Sequence, residues 1–255
     1  MIDPMMLERI QRAVRLISAA RHIVAFTGAG ISTPSGIPDF RSESNGLWKR
    51  YDPMRVASRS AFFNSPTVFF DWFRPLFVTS WQSHPNVAHQ HLAILEENRY
   101  LKSVITQNID GLHQKAGSKQ VFELHGTALT FNCSSCRQSV RGENVFDQFS
   151  KGYPIPYCPN CANILKPNMV LFEEGLPQDT WEAAQVEAQK ADLMLVIGSS
   201  LEVFPANTIP QIALRNGCKL VINNLSSTSL DSMADLCIPM NTVEFFPLLM
   251  QELSS

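Results

Sequence analysis

The chain has 255 residues, of which 45% are hydrophobic and 17% charged, with a formal net charge of −2 and a pI near 6.3. That length is ample to bury a core without disulfide staples, and the composition is too apolar for a disordered polymer. Slight acidity and the lack of any dense Lys/Arg run argue against electrostatic binding of nucleic acid, and no apolar run approaches the ~18 residues of a membrane helix.

Residues 6–20 place Met6, Ile10, Ala13, Val14 and Ile17 on one helical stripe. The charges Asp3, Glu8, Arg9, Arg12 and Arg15 interrupt any signal-peptide core there, so a cytoplasmic protein is expected. Short apolar runs predict strands over residues 23–26, 103–106, 121–124, 193–197, 219–222 and 236–238. Helical patterns over 87–97, 180–190 and 206–215 lie between several of them. Such alternation predicts an α/β fold: a doubly wound, Rossmann-like parallel sheet of about six strands, covered on both faces. Ligands bind such sheets at the carboxyl ends of the strands. Two stretches break the rhythm. Residues 40–85 are rich in Phe and Trp and read as a helical insertion, and residues 127–170 hold paired cysteines. The expected organisation is a main domain from residues 1–39, 86–126 and 171–255, with a small lobe made of 40–85 and 127–170.

Four of the six cysteines stand as two pairs, Cys133 with Cys136 and Cys158 with Cys161, separated by 21 residues. A two-residue gap lets both thiolates of a pair face one ion, and four thiolates complete a tetrahedral zinc shell. That shell has no open position, so the metal is expected to be structural. Cys218 and Cys237 read as small buried hydrophobes.

The remaining motifs follow the predicted strands. Gly28-Ala29-Gly30-Ile31-Ser32 ends the first, where glycines allow close backbone approach to a phosphate, although Thr33 breaks the full dinucleotide fingerprint and a plain turn would carry the same glycines. Pro38-Asp39-Phe40-Arg41 follows in a proline-stiffened loop. Gln107-Asn108-Ile109-Asp110 ends the second strand and offers amides and a carboxylate to ribose hydroxyls or a carboxamide, while Asp110 also reads as a helix cap. His125, before Gly126, ends the third, placed either as a base or as a hydrogen-bonded core histidine. Gly198-Ser199-Ser200 and Asn223-Asn224 end two more. Five polar strand ends would converge on one crevice.

Together with the paired cysteines, the set Gly28-Ala29-Gly30-Ile31-Ser32, Pro38-Asp39-Phe40-Arg41, Thr106-Gln107-Asn108-Ile109-Asp110, Leu124-His125-Gly126 and Gly198-Ser199-Ser200-Leu201-Glu202-Val203 resembles the sirtuins, NAD-dependent protein lysine deacylases. The resemblance spans residues 12 to 250 approximately. It implies that NAD is consumed as a co-substrate: the acyl-lysine oxygen attacks the nicotinamide ribose, nicotinamide leaves, and the acyl group passes to ADP-ribose. His125 would be the general base on a ribose hydroxyl. Asn108 and Asp110 would hold the nicotinamide ribose and carboxamide, and Gln107 a ribose nearby. Gly28, Ala29, Gly30, Ile31, Asp39, Phe40, Arg41 and Ile109 would shape the cofactor pocket. Gly198, Ser199 and Ser200 would bind phosphate, and Asn224 the adenosine end.

The family binds acylated peptides by strand addition between two segments, here residues 170–177, with Val170, Phe172 and Glu173, and residues 200–203, with Leu201 and Val203. Glu173 stands where the family usually has glycine, and its charge leads us to expect a preference for basic residues beside the acylated lysine. Family members that take acidic acyl groups carry a tyrosine and an arginine at positions that correspond to Phe70 and Phe73, so a deacetylase with weak desuccinylase activity is expected. Two rivals stand: ADP-ribosyl transfer or NAD hydrolysis at the same site, and a non-enzymatic zinc-ribbon binding protein. The cysteine module has few cations, a poor phosphate surface.

Overall fold

The computed structural model describes residues 3–40 and 46–254. Helix α1 (Pro4–Ala19) starts where the Asp3 side chain accepts the Met5 amide and Pro4 takes the first turn, and it buries Ile10, Ala13 and Ile17. Strand β1 (Ile23–Thr27) is buried throughout and runs into two 3-10 turns, Ala29–Ile31 and Thr33–Ser35. Two short helices, α2 (Pro53–Val56) and α3 (Arg59–Asn64), precede the long α4 (Pro66–Gln82). Helix α5 (Val87–Glu97), capped by Asn86, leads into β2 (Leu101–Thr106), α6 (Leu112–Ala116) and β3 (Val121–Glu123). The cysteine region forms β4 (Gly126–Cys133), β5 (Ser139–Arg141), α7 (Gly142–Ser150) and β6 (Leu165–Met169). The chain ends with α8 (Gln178–Lys190), β7 (Leu193–Ile197), α9 (Thr208–Arg215), β8 (Lys219–Asn223), β9 (Leu236–Ile238) and α10 (Thr242–Leu253).

The six strands expected from the apolar runs form one sheet in the order β3-β2-β1-β7-β8-β9. Every neighbouring pair in it is parallel. The chain therefore winds outward from β1 to β3, returns to β7, and winds outward again, the doubly wound topology. Ile10, Leu92 and Phe246 from α1, α5 and α10 cover one face. Ala184, Ile209 and Ala213 from α8 and α9 cover the other. Burial on both sides explains why β1 and β7 are apolar throughout rather than alternating. Helix α10 lies outside the elements expected from the sequence. Pro247 inside it breaks the helical signal, yet Phe245, Phe246 and Leu249 bury at helical spacing.

β4, β5 and β6 form a separate antiparallel sheet in the order β5-β4-β6. It shares a hydrophobic cluster with the helices of residues 53–82: Phe62, Phe69, Phe70, Phe73 and Phe77 meet Phe131, Val145 and Phe149. The Phe-rich stretch is thus explained by a second core, made by two parts of the chain that are far apart in sequence. Among the described residues no helix is long and apolar enough to cross a membrane.

Phe131 is the joint of that core, fully buried, with the rings of Phe73 and Phe77 at 6.1 and 5.4 Å. Phe131→Ala is expected to cost about 3–5 kcal/mol. Urea denaturation with a lowered midpoint checks it.

Candidate active site

The sheet order reverses between β1 and β7, the point at which doubly wound sheets bind their ligands. The loops that follow these strands meet largely through backbone. Gly28 N–H donates to Ile197 O at 3.1 Å and Gly30 N–H to Gly198 O at 2.8 Å. A Cβ on Gly30 would lie 2.8 Å from the Gly198 Cα, and one on Gly198, whose φ is +58°, would run into the Ile31 amide nitrogen. This revises the reading of the glycine run. It folds as a 3-10 turn, the plain-turn alternative, and the amides of Gly28 and Gly30 bind protein carbonyls. The glycines serve the close approach of two loops.

That approach brings a buried polar network together. Ser32 Oγ donates to the Asp110 carboxylate at 2.7 Å and accepts from Asn108 Nδ2 at 3.1 Å. Asn108 Nδ2 also donates to Gly28 O at 3.1 Å. Gly111, at φ +69°, turns the chain so that Leu112 N–H reaches Asp110 at 2.9 Å. Burial pushes the Asp110 carboxyl above its ordinary value, against the lowering effect of the Leu112 and Ser32 hydrogen bonds. Behind it, Thr27 Oγ1 bonds Thr106 Oγ1 at 2.8 Å and the His113 ring at 2.9 Å. The His89 and His113 rings meet at 4.9 Å, with His89 Nε2 3.4 Å from Ser32 Oγ. Ser32 had entered the sequence reading only as part of a motif, and His89, His113, Thr27 and Thr106 without a site role. A signal existed for His89: it shares the buried face of α5 with Ala88, Leu92 and Leu95, an apolar stripe where a histidine stands out.

His125 is half-buried just past β3. Its Nδ1 lies 2.8 Å from Gln107 O, a carbonyl that only accepts, so Nδ1 carries the proton and Nε2 the lone pair. Its own carbonyl accepts Val170 N–H at 2.8 Å. Gly126 takes φ +69°, and a Cβ there would collide with Asn168 O, so the position calls for glycine. Gln107 Nε2 donates to Ser199 Oγ at 2.8 Å, which ties the end of β2 to the end of β7. Glu123, two residues before His125, is pushed up to about 7 by burial, with hydrogen bonds from Gln114 and Thr127 opposing it.

The other expected residues are placed as follows. Ile109 and Phe40 are half-buried at the edge of the aromatic cluster, and the Phe40 ring packs on Trp48 at 5.1 Å. Leu47 N–H and Trp48 N–H donate to the carbonyls of Asp39 and Phe40. Arg41 lies outside the described residues. Ala29, Ile31 and Ser200 lie on the loops that bound the crevice, and Asn224, on the rim past β8, donates its amide to Ser226 O at 2.8 Å. Phe70 and Phe73 are buried in the aromatic cluster, at 1% and 2% exposure. Leu201 is likewise a core residue, packed under the sheet, while Val203 is half-buried. Phe172 spends both backbone groups on Ala57 O and Arg59 N–H. The exposed Glu173 carboxylate accepts hydrogen bonds from Ser60, which with Arg59 nearby favour its charged form.

The four paired cysteines meet. Their Sγ atoms all lie within 4.8 Å of one another, with Cys133–Cys161 at 3.4 Å and Cys136–Cys158 at 3.7 Å. A tetrahedral zinc with Zn–S bonds of about 2.3 Å spaces its sulfurs by about 3.8 Å, so the cluster fits that ion.

Burial holds the His89 imidazolium down to about 4 from its ordinary 6.5. His89 is then neutral in the folded chain but protonates near 6.5 when unfolded. Its contribution, about 3 kcal/mol, is full above pH 6.5 and lost as pH falls toward 4. Asp110 and Glu123, raised, act with the opposite sign. The expected outcome is a Tm that falls less steeply between pH 6.5 and 4 in His89→Gln than in the parent chain, measured by calorimetry.

The Sir2 family model matches residues 28–205. The NAD-dependent protein deacetylase of Thermotoga maritima is 42% identical, over 96% of this chain and 98% of its own. A solved structure of Sir2 with a deacetylated p53 peptide and 3'-O-acetyl ADP ribose superposes with a TM-score of 0.90 at 42% identity, covering 95% of this chain and 98% of that one. Sir2Tm bound to a propionylated peptide gives a TM-score of 0.86 at 40% identity, with 95% and 98% covered. The matched span contains the glycine loops, the Asn108–Asp110 network, His125 and the four cysteines, and on these grounds the chain belongs to the Sir2 family.

Proposed function

We propose that the protein is a NAD-dependent protein lysine deacylase, chiefly a deacetylase, that moves the acyl group from lysine to ADP-ribose and releases nicotinamide. The observation that carries the assignment of roles is the His125 tautomer. With Nδ1–H held by Gln107 O, Nε2 is the basic nitrogen, and it lies at the same rim as Asn108, Asp110 and Ser199. His125 takes the proton of a ribose hydroxyl, which then receives the acyl carbon. Asn108 and Asp110 hold the nicotinamide ribose and carboxamide. Gln107 contacts a ribose, and Gly198, Ser199 and Ser200 the phosphates. Asn224 holds the adenosine end. Gly28, Ala29, Gly30, Ile31, Asp39, Phe40 and Ile109 give the pocket its shape.

Cys133, Cys136, Cys158 and Cys161 would hold a structural zinc, which fixes the turns of the small sheet and leaves no coordination position for substrate. We take residues 40–85 and 127–170 as the lobe that closes over NAD, and the rest as the lobe that binds it; their shared aromatic cluster supports this division. Free thiols in paired spacing favour a reducing compartment, the cytoplasm. The acylated peptide lies along Val170, Phe172, Glu173 and Val203, while the Leu201 side chain stays in the core. The aromatic surroundings of Phe70 and Phe73 favour apolar acyl groups, since a buried carboxylate with no cation costs several kcal/mol.

Mass spectrometry of an acetyl-lysine peptide, with and without NAD, tests the reading. Deacetylation only with NAD, with stoichiometric nicotinamide and O-acetyl-ADP-ribose, is expected. His125→Ala should lower kcat at least about a hundredfold. Loss of NAD without peptide would favour hydrolysis, and undiminished turnover in the variant would remove His125 from the chemistry. The succinyl form of the same peptide should show kcat/KM lower by at least about tenfold.

A further inference from the structure

Glu173 holds a left-handed backbone conformation, φ +73°, which residues with a Cβ adopt at a cost and glycine adopts freely. Something must hold it there. One carboxylate oxygen accepts the Ser60 N–H at 2.8 Å and the Ser60 hydroxyl at 2.7 Å. Ser60 lies in the first turn of α3 (Arg59–Asn64), where backbone amides have no partner inside the helix. Arg59 stands close enough to favour the charged carboxylate.

The backbone beside it is stitched to the same element. Phe172 N–H donates to Ala57 O at 3.1 Å, and Arg59 N–H donates to Phe172 O at 3.0 Å. The Phe172 ring meets the edge of Trp48 at 5.9 Å. Glu174, the next residue, anchors the turn in another direction. Its carboxylate accepts Lys166 Nζ at 2.9 Å and Leu171 N–H at 3.0 Å, and Lys166 lies in β6 of the cysteine-bearing sheet. Two consecutive acids thus fasten one turn to both insertions.

We propose that Glu173 is a positioning residue for the acylated peptide: its tether to Ser60 sets the turn of residues 170–174 before peptide binds. This rests on the reading of residues 170–177 as one edge of the peptide groove. A turn ordered in advance does not have to be ordered at the moment of binding, so the tether strengthens peptide affinity without adding a contact to the peptide. The hydrogen bonds of the carboxylate go to the first turn of α3.

The test compares the full chain with Glu173→Ala and Glu173→Gln, using an acetyl-lysine peptide and NAD. Glu173→Ala is expected to raise the peptide KM about threefold to tenfold, with kcat at saturating peptide and the KM for NAD within about twofold. Glu173→Gln keeps an oxygen that accepts both Ser60 bonds and should recover most of the loss. Hydrogen exchange of the peptide-free proteins supplies a readout independent of turnover. The amides of residues 170–174 should exchange at least about threefold faster in Glu173→Ala and near the parent rate in Glu173→Gln. An unchanged peptide KM in the Ala variant overturns the proposal. So does a Gln variant as impaired as Ala whose defect vanishes in high salt, which would mean a charge contact with the peptide. If the parent chain shows no NAD-dependent deacylation, the functional reading fails, and exchange alone then decides the tether: unchanged rates sink it and faster rates in Ala uphold it.

Discussion

One close approach organises the crevice: the loops after β1 and β7 meet backbone to backbone, with no room for a side chain at Gly30 or Gly198. Parallel strands that wind in opposite directions leave a gap above the point of reversal. Here the glycines narrow that gap until Gly30 N–H bonds Gly198 O. The consequences spread from it. Ser32 is carried to within reach of Asn108 and Asp110, and Ser199 to Gln107. A single methyl group between the loops would part them, and the residues that come from different strands would no longer form one site.

The polar cluster beneath is costly to bury. Asp110 and His113 are nearly or wholly buried, and the Nδ1 atoms of His89 and His113 have no hydrogen-bond partner. An unsatisfied buried polar atom costs on the order of 1–3 kcal/mol. A core built for stability alone would fill the space with apolar side chains. The retention of hydroxyls, amides and imidazoles at the carboxyl ends of strands is the signature of a site whose local rules give way to function. The surrounding sheet, buried on both faces, supplies the stability that offsets it.

The small lobe has a different logic. Its two insertions, separated by α5, β2, α6 and β3, neither of them large, share one aromatic core, and the second carries the cysteine cluster. A core of that size is marginal on its own, which is where a structural metal contributes most. The turn of residues 170–174 leaves this lobe directly, bound on one side to α3 and on the other to β6. The turn is thereby held by the small lobe as well as by the Val170–His125 bond at the end of β3.

Much of this was legible in the chain. Six strands, their parallel arrangement and the four-cysteine cluster follow from hydrophobic period and spacing, because burial on both faces imposes continuous apolar runs and a tetrahedral ion imposes paired thiols. Ser32, Asn108 and Asp110, taken from two of the strand-end motifs, meet in one buried network. Three things were not legible. Pro247 concealed α10, whose place depends on packing against α1 and α5. The amides of the glycine run looked available for an anion, and only the position of β7 showed them bonded to protein carbonyls. Glu173 read as an added charge, and only the fold put Ser60, 113 residues away in sequence, against its carboxylate. The sequence by itself determined which residue types stand at which strand ends, since period and spacing are local. Which of those groups meet, and which are already satisfied, was decided by tertiary structure, because hydrogen bonds between distant segments leave no periodic trace in the chain.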